Sequence, residues 1–279
     1  IIGRNLRACF FSSKKIPIFY ETHQPFKYYN IIDRYLFYKL IKRQNFISLI
    51  TISDYLINDY NSLYFFKNIS KLRLRDGSNT YEHTISVNNL SSPSVGYIGS
   101  LYEGRGIEII LQLSKLMKHI IFNIVGGNEK EIHKFKKNNK NSNLIFHGYL
   151  DYKTSIKMMK SFDILLAPYQ SNTKVAGGLN TSKWMSPIKL FEYMSAKKPI
   201  ITSDITSLRE FMIHKYNCLI VKEEDNVNEW REAINLILND KKLSTTIVYN
   251  AFNDLKTKYT WDIRVKKIVK NFIKIYKKT

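Results

Sequence analysis

The 279-residue sequence predicts an α/β protein built on parallel sheets that are covered on both faces. Short apolar runs alternate along nearly the whole chain with stretches whose apolar residues recur every three to four positions, the pattern of successive strand–helix units. The runs are continuous, as in Ile164-Leu165-Leu166-Ala167, where a half-exposed strand would alternate apolar with polar. The pattern also restarts after a polar stretch at 79–94, closed by Ser91-Ser92-Pro93, which divides the chain in two.

In the first part, strands are expected at 16–20, 46–52 and near 71–74, the last ended by the turn dipeptide Asp76-Gly77. The aromatic-rich stretch 28–43 and the residues from Asp54 onward have helical spacing. In the second part, strands are expected at 95–99, 120–125, 143–146, 163–167, 199–202 and 218–221. Helices are expected at 107–117, after Gly127, and at 153–160, 187–196, 207–213 and 227–238, with a last one at 261–276. About six units fill one doubly wound domain. Three strands are too few to bury a sheet well, and the sequence opens Ile1-Ile2-Gly3-Arg4 without a methionine. The expectation is a first domain lacking roughly half its length. The expected divisions are 1–88 for that partial domain and linker, 89–258 for a complete second domain, and 259–279 for a returning helix.

Composition excludes some classes and leaves others open. With 44% hydrophobic and 24% charged residues, the chain is not collagen-like, low-complexity or wholly disordered. Two cysteines, Cys9 and Cys218, cannot form a disulfide framework, so a reducing, cytoplasmic setting is expected. No apolar run approaches the roughly 20 residues that span a bilayer. The formal net charge of +21 raises nucleic acid, an anionic membrane surface or a phosphate-bearing substrate as partners. It equally suits a lysine-rich composition, since Lys-Lys pairs are scattered from 14–15 to 277–278. Charge alone does not choose.

In open parallel sheets, ligands sit beyond the carboxyl ends of strands. The loop 99–106, Gly-Ser-Leu-Tyr-Glu-Gly-Arg-Gly, follows the first strand of the second part and leads into a helix. Gly99 lets backbone approach a ligand, the helix N-terminus attracts anions, and Arg105 offers a planar fork for phosphate. The plain alternative is a glycine-rich turn with a surface arginine. In Ser186-Pro-Ile-Lys-Leu-Phe-Glu192, Ser186 is a natural N-cap and Pro187 a natural first helical residue. Lys189 then opposes the helix dipole in the first turn, which suggests a bound anion. Glu192 shares its face and could accept hydrogen bonds from both hydroxyls of a ribose. The plain alternative is a solvated i,i+3 ion pair.

The stretch from Ser186 to Asp204, running on to Leu208-Arg209-Glu210, resembles the donor-binding segment of retaining glycosyltransferases of family 4 (glycosyl transferases group 1), which have the GT-B fold. Loop 97–106, Phe122-Asn-Ile-Val-Gly-Gly127, Phe146-His-Gly-Tyr149 and the strand 162–168 resemble the family's successive second-domain strand ends. Tyr259-Thr-Trp261 with Arg264 resembles the start of its C-terminal helix, while 16–23 and 50–53 resemble later strands of its first domain. The resemblance implies two Rossmann-like domains with parallel sheets facing across a cleft, the first incomplete here. It implies a nucleoside-diphosphate-sugar donor held by Gly99, Ser100, Arg105, Gly127, Tyr149, Ser186, Lys189 and Glu192. It gives His23 a role against the donor sugar, as a hydrogen-bonding group that stabilises oxocarbenium character.

Two departures stand out. The first of the family's paired glutamates would fall at Trp184, and in the first loop Ser100 stands at the arginine position and Arg105 at the lysine position. Lys189 is then expected to restore the charge beside the diphosphate. No metal or other cofactor is expected. The implied reaction is transfer of a sugar to an acceptor hydroxyl with retention, in cell-surface polysaccharide or glycolipid synthesis at the inner face of the membrane. The implied partners are a glycan or lipid-linked acceptor and an anionic membrane surface, with no nucleic acid. A non-catalytic nucleotide-sugar binder and a basic nucleic-acid-binding protein are the alternatives, though the aromatic residues lie mostly in apolar runs and no recognised nucleic-acid module occurs. Motifs of zinc hydrolases and of G-x-S-x-G hydrolases are absent.

Overall fold

The computed structural model describes residues 1–81, 92–137, 139 and 141–276. The chain divides into two compact units. The first comprises Ile1–Gly77, Lys183–Ser186 and the chain from Trp261 onward; the second comprises Ser78–Ser182 and Pro187–Thr260. The boundary expected at 88/89 lies outside the described residues.

In the first unit, β1 (Ile2–Gly3), α1 (Leu6–Phe11), β2 (Ile18–Thr22), α2 (Ile31–Ile41), β3 (Phe46–Thr51), α3 (Asp54–Ser62) and β4 (Lys71–Arg73) follow in order. Their strands form a parallel sheet in the order β1-β2-β3-β4. Alternate residues of β2 serve opposite faces. Ile18 and Tyr20 pack with Leu6, Cys9, Phe37, Leu40, Ile41 and Tyr60 from the three helices. Phe19 packs with Ile50, Leu74 and Ile268. Ile268 belongs to the last helix, which therefore covers the second face of this sheet.

The second unit runs β5 (Ser94–Ile98), α4 (Ile107–Leu116), β6 (Ile121–Val125), α5 (Glu129–Lys136), β7 (Leu144–Gly148), α6 (Tyr152–Ser161) and β8 (Ile164–Ala167). It continues with α7 (Ile188–Ala196), β9 (Ile200–Ser203), α8 (Thr206–Arg209), β10 (Leu219–Val221), α9 (Val227–Asn239) and α10 (Lys241–Asp254). α11 (Trp261–Tyr276) belongs to the first unit. The sheet order β10-β9-β8-β5-β6-β7 is that of a doubly wound domain, with the direction of winding reversing between β5 and β8. Val95, Tyr97, Ile124, Leu166, Ile201 and Trp230 are buried in its core.

Several expectations are corrected. β1 adds a strand that two residues could not announce by periodicity. α10 was not expected, because only Ile247, Ala251 and Asp254 of its 14 residues are buried. The helix expected at 207–213 stops at Arg209. There the buried Asn217 side chain takes over backbone groups that would have extended it, accepting from the Ile213 N–H at 2.7 Å and donating to the Phe211 carbonyl at 2.9 Å. Asp76-Gly77 forms no turn; Asp76 is buried. α7 begins at Ile188 with Pro187 at the N-cap and no side-chain cap. Ser186 is not the cap, because its hydroxyl accepts the Asp76 N–H at 3.0 Å in the first unit.

Candidate functional site

The carboxyl ends of β5 and β8 flank the point where the second sheet reverses its winding, where parallel sheets hold ligands. The glycine-rich loop 99–106 leaves β5 and ends at Gly106, which has a left-handed conformation (φ 72°) at the N-cap of α4. A Cβ there would lie 1.9 Å from the Pro168 carbonyl oxygen, so only glycine lets this loop meet the one leaving β8. The two loops are clipped together. The Gln170 N–H donates to the Gly104 carbonyl at 2.9 Å, the Lys174 N–H to the Glu103 carbonyl at 3.1 Å, and the Lys174 ammonium pairs with the Glu103 carboxylate at 2.8 Å.

Lys189, second residue of α7, points under this loop. Its Nζ lies 3.7 Å from the Tyr97 ring centre and 5.2 Å from that of Tyr169. A Cβ on Gly99 would come within 2.8 Å of that Nζ. Both Lys189 Nζ and Arg105 Nε are buried without a hydrogen-bond partner among the described residues. Burial, then the charge of Arg105, push the Lys189 ammonium well below its ordinary range, against the opposing pull of Glu192. A buried amine and a buried guanidinium nitrogen, each without a hydrogen-bond partner, are costly in a closed protein and suited to an anion. Glu192, one turn along α7, is raised by burial, with the Tyr152 hydroxyl and Lys189 opposing. The Tyr152 hydroxyl is hydrogen-bonded in turn to that of Tyr81.

Beside these groups lies a pocket of about 510 Å³, lined by Gly99, Ser100, Gly127, Asn128, Glu131 and the 84% exposed Tyr149, among others. Asn128 and Glu131 form the capping box of α5. Thus Gly99, Ser100, Gly127 and Tyr149 share one pocket, and the charges of Arg105 and Glu192 both act on Lys189, which lies against Gly99. His23 and Ser186 belong to the other unit. Sequence reading missed Tyr97, Tyr169, Tyr152 and Glu131. Only Glu131 carried a local signal, the Asn-x-x-Glu capping pattern after two glycines.

In the first unit, His23 follows β2, and its Nε2 lies 2.7 Å from Glu21 Oε1. Glu21 also binds Arg4 at 2.9 Å and Arg264 at 2.8 Å. Burial would raise the Glu21 carboxyl, but the hydrogen bond from His23 and the charges of Arg264 and Arg4 bring it down to about 2. The oxygens and nitrogen of Glu21, His23 and Asp76 lie within 4.8 Å of one another, the spacing of a metal-ligand set. Two guanidiniums already supply the positive charge such an ion would bring. Trp184, at the place of the family's first glutamate, is buried; its indole N–H donates to the His23 carbonyl at 3.1 Å, and its ring lies against Tyr28 and Tyr55. That side chain is an anchor within the first unit.

Known proteins share both sequence and fold with this chain. An uncharacterized glycosyltransferase of Methanocaldococcus jannaschii, MJ1069, is 30% identical over 189 residues, which are 65% of this chain and 44% of that protein. The chain spans less than half the length of the curated relatives it matches. The Anabaena protein Alr3699/HepE, solved with UDP-glucose, superposes with a TM-score of 0.73 at 16% identity, covering 98% of this chain and 78% of that one. Sucrose-phosphate synthase from Thermosynechococcus elongatus gives 0.72 at 15% identity, covering 94% and 68%. Both likenesses establish the GT-B fold. Residues 80–254 match the family described as Glycosyl transferases group 1, and the chain belongs to that family.

Proposed function

We propose that this chain binds a nucleoside-diphosphate sugar in its second unit and serves a glycosyltransferase that moves the sugar to an acceptor hydroxyl with retention at the anomeric carbon. The observation that carries this reading is the pair of buried, unpartnered cationic nitrogens, Arg105 Nε and Lys189 Nζ, beneath the Gly99 loop. They would hold the diphosphate, where each hydrogen bond to a charged group contributes about 1.5–3 kcal/mol. Glu192 would accept from the ribose hydroxyls. The pocket of Gly99, Ser100, Gly127 and Tyr149 would take the nucleoside. The same cations would neutralise the leaving diphosphate as the bond from C1 to it breaks, the acceptor oxygen bonds C1 and the acceptor's proton passes to the departing diphosphate, so the protein itself supplies the charge that a metal supplies elsewhere. His23 would hydrogen-bond the donor sugar.

The acceptor in this reading is a glycan or lipid-linked sugar in polysaccharide or glycolipid synthesis, met at the cytoplasmic face of an anionic membrane. No helix among the described residues is long and apolar enough to cross a membrane. The +21 charge favours peripheral docking instead, at about 1 kcal/mol for each basic residue near an anionic leaflet. Burial of Trp184 where the family has a carboxylate supports a second reading, a nucleotide-sugar binder that does not turn over.

A thermal-shift panel of nucleoside diphosphates against duplex DNA tests the donor site. UDP or GDP should raise the unfolding midpoint in EDTA as much as in manganese, and DNA should not. Stabilisation by DNA alone would overturn the reading. Release of radiolabelled sugar from the donor onto an acceptor separates the transferase from the binder. Co-sedimentation with anionic vesicles, lost at high salt, tests the membrane.

A further inference from the structure

Glu21 and His23 are two positions apart along β2 and its exit, so their side chains leave the same face of the sheet, the one that α11 covers. Glu21 is 1% exposed; it pairs with His23, Arg4 and Arg264, and the Asp76 carboxylate lies within 4.8 Å. Oε1 lies 2.7 Å from His23 Nε2 and pairs at 2.9 Å with Arg4, whose guanidinium donates to Asp76 at 3.2 Å, and Oε2 accepts from Arg264 at 2.8 Å. Arg264 is itself tethered, donating through Nε to the Arg75 carbonyl at 2.9 Å and through Nη2 to the Leu74 carbonyl at 3.3 Å. A carboxylate held by two guanidiniums is ionised, and an ionised carboxylate only accepts. The imidazole nitrogen that faces it must therefore carry the hydrogen.

We infer that Glu21 is the positioning residue of His23: it holds the ring as the Nε2–H tautomer, so that Nδ1 is the atom offered, as a hydrogen-bond acceptor, to a hydroxyl of the donor sugar. This rests on the reading that His23 meets the sugar. It adds a chemical direction to that contact. A hydroxyl that donates to Nδ1 gains electron density at its own oxygen, which favours positive charge developing on the neighbouring ring. The opposite tautomer would present an N–H and withdraw that density. The clamp on Glu21 draws on Arg4, Arg264 and the backbone carbonyls after β4, parts of the chain more than 240 positions apart, all within the first unit.

The test uses the full chain with 15N-labelled histidine, read by long-range 1H–15N correlation at a pH where the rings are neutral, His23 being assigned from a His23→Asn variant. The wild type should show His23 protonated at Nε2 almost alone. Glu21→Gln, which keeps the size but can donate as well as accept, should show both tautomers. A wild-type ring protonated at Nδ1, or an unchanged spectrum in E21Q, would overturn the proposal. If E21Q does not fold, the wild-type spectrum still decides. In a transfer assay, E21Q should lower kcat/KM about 10- to 100-fold, the scale of carboxylates that orient metal-bound histidines, and should cost nothing further in the His23→Ala background. Multiplying losses would make Glu21 merely structural. UDP affinity, set in the other unit, is measured in parallel. Its absence would sink the donor-site reading, while the spectrum of the ligand-free chain judges Glu21 separately.

Discussion

The Lys189 ammonium faces the Tyr97 ring at 3.7 Å and has no hydrogen-bond partner among the described residues, although the charge of Arg105 acts on the same site. The ring's electron-rich face offsets part of the desolvation, but cation–π attraction is worth only about 0.5–2 kcal/mol. An arrangement that is unfavourable in the empty protein and favourable around an anion ties stability to binding, with opposite signs for the two.

Lys189→Met should separate those signs. The substitution keeps an unbranched chain in the Tyr97–Tyr169 cage and removes the buried amine. The ligand-free midpoint should stay level or rise, by about 2–4 °C per kcal/mol recovered, while UDP affinity falls about 10- to 100-fold. Differential scanning fluorimetry and titration calorimetry read the two quantities. Unchanged UDP affinity would remove Lys189 from the diphosphate site.

Proton linkage gives a second check. Lys189 titrates well below its ordinary range in the folded chain and within it in the unfolded one. Between those values the unfolded chain holds more protons, so this group makes the ligand-free protein gain stability as pH rises through that window. Binding a diphosphate restores the proton, so UDP affinity should fall with rising pH over the same interval. Calorimetry in two buffers of different ionisation heat, at a pH where the β-phosphate is fully ionised, should show proton uptake in the wild type. In K189M that uptake should vanish.

Glu192→Ala should weaken UDP binding by about 1–3 kcal/mol. If the carboxylate accepts from the ribose, 2′,3′-dideoxy-UDP should bind wild type and variant alike. A loss of equal size with the dideoxy nucleotide would place Glu192 elsewhere in the site.

Gly106→Ala and Gly177→Ala form a matched pair. Both positions have positive φ, 72° and 91°, but a Cβ at Gly106 meets the Pro168 carbonyl oxygen at 1.9 Å, whereas at Gly177 it meets nothing within 4 Å. The second change should cost about 1–2 kcal/mol of left-handed strain. The first should cost several kcal/mol, because backbone must move, and should weaken UDP binding by parting the two loops. Urea denaturation midpoints with unchanged slopes would rank them.

The sequence by itself determined the elements whose signal is local. Continuous apolar runs announced nearly all the strands, because a strand covered on both faces must be apolar at every position. Glycines marked the loop after β5, and the i,i+3 spacing placed Lys189 and Glu192 on one helix face. Tertiary structure decided what those side chains meet. The cage around Lys189 comes from Tyr97 and Tyr169, on strand ends brought together by the crossover between β5 and β8. Ser186 looked like a cap from its neighbours, yet its hydroxyl serves Asp76, 110 residues away. Glu21 drew no notice as one carboxylate in an apolar strand, until Arg4, His23 and Arg264 closed on it. Periodicity reports how a backbone repeats along itself. Which distant charge meets a buried carboxylate depends on sheet order and register, and no spacing within one segment contains that.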